Sequence, residues 1–102
     1  MGYNVDVIEI RKTDAFARWL DGLSDIRARS RILARIERLA VGNPGDVGPV
    51  GGGVSEMRIN YGPGYRVYYI QQGQYLIVLL AGGDKRMQSR DIRTALRMAK
   101  NL

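Results

Sequence analysis

Seven successive uncharged residues, Tyr75-Leu-Ile-Val-Leu-Leu-Ala81, limit the fold more than any other part of the chain. The run is far short of the roughly 18 apolar residues that would suggest a membrane span. Its aliphatic content without polar alternation reads as a strand buried on both faces. Elements with one apolar face must therefore be laid around it. Ser55 to Tyr61 alternates Met57, Ile59 and Tyr61 against Glu56, Arg58 and Asn60, and Tyr65 to Gln71 returns after Gly62-Pro63-Gly64, which reads as a tight hairpin loop. Gly82-Gly83-Asp84-Lys85 reads as a turn.

Upstream, Val5 to Ile10 reads as an opening strand. Thr13-Asp14 offers an N-cap to a helix whose Phe16, Trp19 and Leu20 share one face and which Asp21-Gly22 ends. Ser24 or Asp25 caps a second helix running to Ala40. Ile32, Leu33, Ile36, Leu39 and Ala40 form its apolar stripe, and Arg27, Arg31, Arg35 and Arg38 its other face. The stretch from Gly42 to Gly53 is rich in Gly and Pro and reads as a connector. Ser89 or Asp91 opens a last helix, with Ile92, Ala95, Leu96 and Ala99 inward and Arg90, Arg93, Arg97 and Lys100 outward. The order β-α-α-β-β-β-α predicts an α+β fold: an antiparallel-dominated twisted sheet with helices packed on one face. At 102 residues, the span 1–102 is expected to form a single domain.

Composition narrows the chemistry. Cysteine is absent, which excludes a thiolate nucleophile and every Cys-based zinc site; histidine is absent too, which removes the usual general acid-base and the commonest transition-metal ligand. Chemistry must come from Lys, Arg, Tyr, Asp or Glu, and no cofactor is expected. Sixteen Lys and Arg against ten Asp and Glu leave a net charge of +6, which favours a polyanion or an acidic protein as partner. Neither a membrane-spanning run nor a signal-peptide pattern is read, so the expected location is the cytoplasm.

Strand alternation puts Glu56 and Arg58 on one sheet face, roughly 7 Å apart. A register pairing Tyr61 with Tyr65 sets Asn60 opposite Arg66 and Arg58 opposite Tyr68, with Met57 facing Tyr69 and Ile59 facing Val67 on the other side. Glu56, Arg58, Arg66 and Tyr68 then form one cationic patch on an open sheet face, with Lys85 close by if the third strand pairs beside the second. Crowding among arginines would lower the pKa of Lys85, making it a candidate acid or base; Glu56 is the other candidate base. The same residues also admit ordinary readings: exposed ion pairs for Glu56 and Arg58, a cation-π contact between Arg66 and Tyr68, a turn position for Lys85, and a solvated face for the helical arginines.

The element order, length and charge resemble the RelE/ParE toxin superfamily, and more narrowly its HigB-like group of addiction-module killer proteins. The resemblance is carried by Val54-Ser-Glu-Met-Arg58, Gly64-Tyr-Arg-Val-Tyr68 and Leu80-Ala-Gly-Gly-Asp-Lys85 leading into Gln88 and Asp91-Ile92. The opening strand, Trp19-Leu20 and Asn43-Pro-Gly also match. It implies a RelE-like fold and a type II toxin held inactive by a cognate antitoxin, expected to be of helix-turn-helix type. Many such toxins are ribosome-dependent endoribonucleases acting on messenger RNA. By that likeness Arg66 would hold the scissile phosphate, followed in importance by Arg58, Lys85 and Glu56. RNA contacts would come from Arg58, Arg66, Tyr68, Lys85, Arg86 and Arg90. Several RNA-cutting relatives carry a His or Tyr near the C-terminus, and the last helix here has neither. That departure keeps a second reading open, a ParE-like poison of DNA gyrase without enzymatic activity.

Overall fold

The structure, a computed structural model, describes residues 7–102. Five strands form one sheet in the order β1-β5-β4-β3-β2. They are β1 (Glu9–Lys12), β2 (Val47–Gly51), β3 (Val54–Ile59), β4 (Tyr65–Gln72) and β5 (Leu76–Asp84); the helices are α1 (Asp14–Asp21), α2 (Ile26–Ala40) and α3 (Gln88–Lys100). Among these strands only β1 and β5 pair in parallel. This is the expected α+β, mostly antiparallel, RelE-like arrangement, with several local differences.

Local chemistry starts each of the first two helices. The Thr13 hydroxyl accepts from Phe16 N–H at 3.1 Å and donates to the Leu80 carbonyl at 2.7 Å, so one side chain both caps α1 and ties it to β5. Asp25, rather than Ser24, caps α2, accepting from the amides of Arg27 and Ala28. Phe16, Leu20, Ile32 and Leu39 then bury against Met57, Ile59, Val67, Tyr69, Ile77 and Leu79. Leu33, expected in the apolar stripe, is exposed.

Helices cover both faces of the sheet, not one. Val54, Tyr68, Val78 and Leu80 alternate with the residues just named and, joined by Ala81 through a bulge in β5 opposite Tyr68 and Tyr69, form a second core beneath Ala95 of α3, with Ile92, Leu96 and Ala99 packed on it. Burying β5 on both sides requires this cover. Gly82 and Gly83 mark the change of face: a Cβ on Gly82 would lie 2.1 Å from the Trp19 ring of α1, and one on Gly83 would lie 1.9 Å from Oδ2 of Asp91 on α3. These glycines continue β5 through Asp84 instead of turning. The turn comes afterwards as a 3-10 segment, Lys85–Met87, and α3 begins at Gln88.

Three other expectations are corrected. The Gly/Pro-rich stretch holds β2, which pairs with β3 through a bulge between Pro49 and Gly51. It is an edge strand, where proline and a bulge do least harm. The hairpin register is displaced by two residues: Ile59 pairs with Tyr65, Arg58 with Arg66, Met57 with Val67 and Glu56 with Tyr68. An even displacement keeps every side chain on its expected face, but Asn60 and Tyr61 now belong to the loop. The opening strand is Glu9–Lys12 instead of Val5 to Ile10, of which Val5 and Asp6 lie outside the described residues.

Overpacking should expose the two-faced core. Gly82→Ala is expected to destabilise the fold by about 1–3 kcal/mol, measured by chemical denaturation. An unchanged midpoint would contradict the close approach of Trp19.

Candidate functional site: a cationic depression behind the β3–β4 hairpin

The α3-facing side of β3 and β4 carries Glu56, Arg58, Arg66 and Tyr68, and α3 with the 3-10 segment covers part of it. Glu56 is only 1% exposed. Its Oε1 accepts from Arg58 Nε at 3.1 Å and lies 3.8 Å from Arg66 Nε; its Oε2 accepts from Gln88 Nε2 at 2.8 Å. One buried carboxylate thus organises two guanidiniums and the first residue of α3. So enclosed, Glu56 is not open to a substrate proton, which corrects its expected place as a base.

Arg58 continues outward, its Nη1 donating to Asp46 Oδ1 at 3.0 Å. Hydrogen bonding to Asp46 first, and then to Glu56, holds its pKa above the usual arginine value, so it stays cationic. Gly48 on β2 makes room for this side chain: a Cβ there would lie 2.6 Å from Arg58 Nη2. Asp46 and Gly48 sit in the stretch read as a connector, which is why sequence reasoning missed both.

Arg66 is more enclosed, its side chain 12% exposed. Its Nη1 donates to the carbonyls of Gly64 and Tyr65 at 3.3 and 3.2 Å, while its Nε is buried without a hydrogen-bond partner. Gly64, at φ 81°, lies between this guanidinium and the Cβ of Lys85. Arg58, Arg66 and exposed Lys85 line one depression of about 370 Å³, together with Asp46, Asn60 and the glycine-proline loop. The structure therefore brings together three of the four residues expected to carry chemistry, with Glu56 directly behind them.

The other expected contacts lie elsewhere. Arg86 and Arg90 are exposed, paired with Asp84 and Asp91, and do not line the depression. Tyr68 is fully buried beneath α3, which corrects its expected contact with RNA. Asp91, expected as a possible opening of the last helix, is buried near the start of α3 with its Oδ2 unpartnered, and burial pushes its pKa up. Among the described residues no group of three or more Asp or Glu side chains is placed to hold a metal ion.

Tyr68 gives a pH-dependent test. Burial first, and the Glu56 carboxylate second, push its phenol above the ordinary value of 10.0. The unfolded chain loses that proton earlier, so the contribution to stability is whole below about pH 10 and falls away as pH climbs towards the raised value. Its hydroxyl has no hydrogen-bond partner. Tyr68→Phe should therefore change stability at pH 7 by less than about 1 kcal/mol and soften the alkaline loss. An alkaline unfolding profile identical to that of the wild type would contradict the buried phenol.

Residues 18–101 match the family described as phage-derived protein Gp49-like (DUF891). An uncharacterized protein of Haemophilus influenzae (strain KW20 / Rd) is 46% identical over 95 residues, covering 93% of this chain and 96% of its own length. The family match includes every residue that lines the depression. The chain belongs to the Gp49-like family, a toxin-like family related to the addiction-module killer proteins.

Proposed function

We propose that the chain is the toxin of a type II toxin-antitoxin pair, of the RelE/ParE kind, and that it cleaves messenger RNA on the ribosome without a metal. The observation that carries this reading is the depression in which Arg58, Arg66 and Lys85 meet, with Glu56 buried behind them. Such a site suits a phosphodiester, because guanidinium forks bind phosphate oxygens at two points and hold charge that grows in the transition state.

In the proposed reaction the ribose 2′-oxygen attacks the adjacent phosphorus and gives up its proton. The bond from phosphorus to the 5′-oxygen breaks, and that oxygen takes a proton as it leaves. The products are a 2′,3′-cyclic phosphate and a 5′-hydroxyl end. Arg66 and Arg58 hold the non-bridging oxygens, and substrate phosphate replaces Asp46 on Arg58. Glu56 positions both arginines; water takes the 2′-proton, and Lys85, exposed beside the arginines, gives a proton to the departing 5′-oxygen and regains one from solvent. The cognate antitoxin, proposed as a helix-turn-helix protein, would neutralise the toxin in the cytoplasm. Among the described residues no helix is long and apolar enough to cross a membrane.

A second reading, a ParE-like gyrase poison, draws on two observations: α3 carries neither His nor Tyr, and the Arg66 guanidinium is largely enclosed. Mapping transcript ends after induction separates the two. Wild type should create new 5′-hydroxyl ends, and Arg66→Ala should reduce them by at least about 100-fold. Arrested growth with intact transcripts, accompanied by inhibited supercoiling in a purified gyrase assay, would replace cleavage with gyrase poisoning.

A further inference from the structure

We propose that a second cavity, on the α2 side of the hairpin, holds another phosphate of the same RNA strand, an inference that rests on the RNA-cleaving reading above. The cavity measures about 350 Å³ and is rimmed by Arg31, Arg35, Arg38 and Asn60 over a floor of Ala34 and Ile59. The three arginines stand at i, i+4 and i+7 of α2, so one helix face aims them together. No carboxylate lines the cavity, in contrast to the first depression, where Asp46 sits among the cations.

The arginines divide the work. Arg35 is already committed: its Nη1 donates to the Arg58 carbonyl at 2.7 Å, and its Nη2 to the carbonyls of Pro44 and Asp46 at 3.1 and 3.3 Å. It is a brace that fixes α2 against the backbone carrying Arg58 and Asp46. Arg31 lies over the Tyr61 ring, 4.6 Å from its centroid, an arrangement that leaves its N–H donors free for an anion. Arg38 is exposed and, among the described residues, forms no ion pair.

Two features favour one continuous RNA strand over a separate ligand. Asn60 lines both cavities, so they meet at the start of the hairpin loop. Arg35 makes them rigid with respect to each other through its bonds to residues 44, 46 and 58. A strand seated on Arg58 and Arg66 would pass Asn60 and place a neighbouring phosphate between Arg31 and Arg38. The apolar floor, with Ile59 buried beneath it, suits the less polar side of a ribose.

The test is fluorescence anisotropy with labelled 2′-O-methyl RNA, which cannot be cut, using a dinucleotide with one internucleotide phosphate and a hexanucleotide. Wild type should bind the hexamer more tightly than the dinucleotide. Arg31→Gln/Arg38→Gln should remove most of that length advantage and leave the dinucleotide unchanged. The salt dependence of hexamer binding should weaken by about 0.7 in log-log slope for each phosphate that the variant no longer neutralises. Arg66→Gln should weaken both oligonucleotides. If the double variant keeps wild-type hexamer affinity and slope while Arg66→Gln still weakens both, the second site is wrong and the cleavage site stands. If Arg66→Gln changes neither, the cleavage reading fails and takes the second site with it; if neither oligonucleotide binds the free protein, the second site is wrong, and cleavage on the ribosome is judged by the mapped transcript ends. Weakened binding of a polyglutamate peptide with unchanged RNA binding would assign the cavity to an acidic protein segment and overturn the proposal. Should the double variant lose its helical circular dichroism, Arg38→Gln alone carries the same expectation.

Discussion

The arrangement depends on a carboxylate that has almost no contact with water. Burying Glu56 costs free energy unless its oxygens are occupied, and the occupants come from three parts of the chain: Arg58 on its own strand, Arg66 on β4 and Gln88 at the start of α3. Satisfying that one group pins α3 to the sheet, aligns two guanidiniums, and leaves their outer ends facing the depression. The neighbouring Tyr68 phenol and Asp91 carboxylate, both buried and incompletely satisfied, share this interface. The layer beneath α3 is thus polar where it borders the depression and apolar where Val54, Val78 and Leu80 meet Ala95.

Much of the fold was legible because local chemistry and tertiary packing agree. Thr13 and Asp25 are strong caps and start the helices they were expected to start. The alternation on β3 and β4 put Glu56, Arg58 and Arg66 on one face, and a two-residue error in register could not change that. The misreadings come from residues whose signals are ambiguous without a partner. Glycine and proline in β2 look like a loop because their tolerance at a sheet edge depends on which strand lies beside them. Gly82-Gly83 looks like a turn, but its glycines answer to Trp19 and Asp91 pressing from opposite sides. The apolar run Tyr75–Ala81 already demanded cover on both faces; placing α3 on the far side follows from it, and so does the burial of Tyr68.

The candidate site was legible as a set of residues but not as an apparatus. Alternation brings Glu56, Arg58 and Arg66 together without revealing that the carboxylate is enclosed and acts on the arginines. Asp46 and Gly48, which receive and make room for Arg58, carry no sequence signal once their strand is read as a connector. The net charge of +6 indicated a polyanionic partner, yet charge alone does not separate a solvated helix face from a built cavity. Arg35 makes the difference on α2, because its bonds to backbone carbonyls join the helix to the site.

The proposed chemistry stands or falls on whether Arg58 and Arg66 grip one phosphodiester together. NMR of the arginine Nε–H signals reads this directly while the folded protein is titrated with a single-phosphate dinucleotide analogue that cannot react. The Arg58 and Arg66 signals should shift together and saturably, with the Asp46 carboxylate released from Arg58 in the same transition. Signals that stay fixed at both arginines while the analogue binds elsewhere would contradict the shared grip.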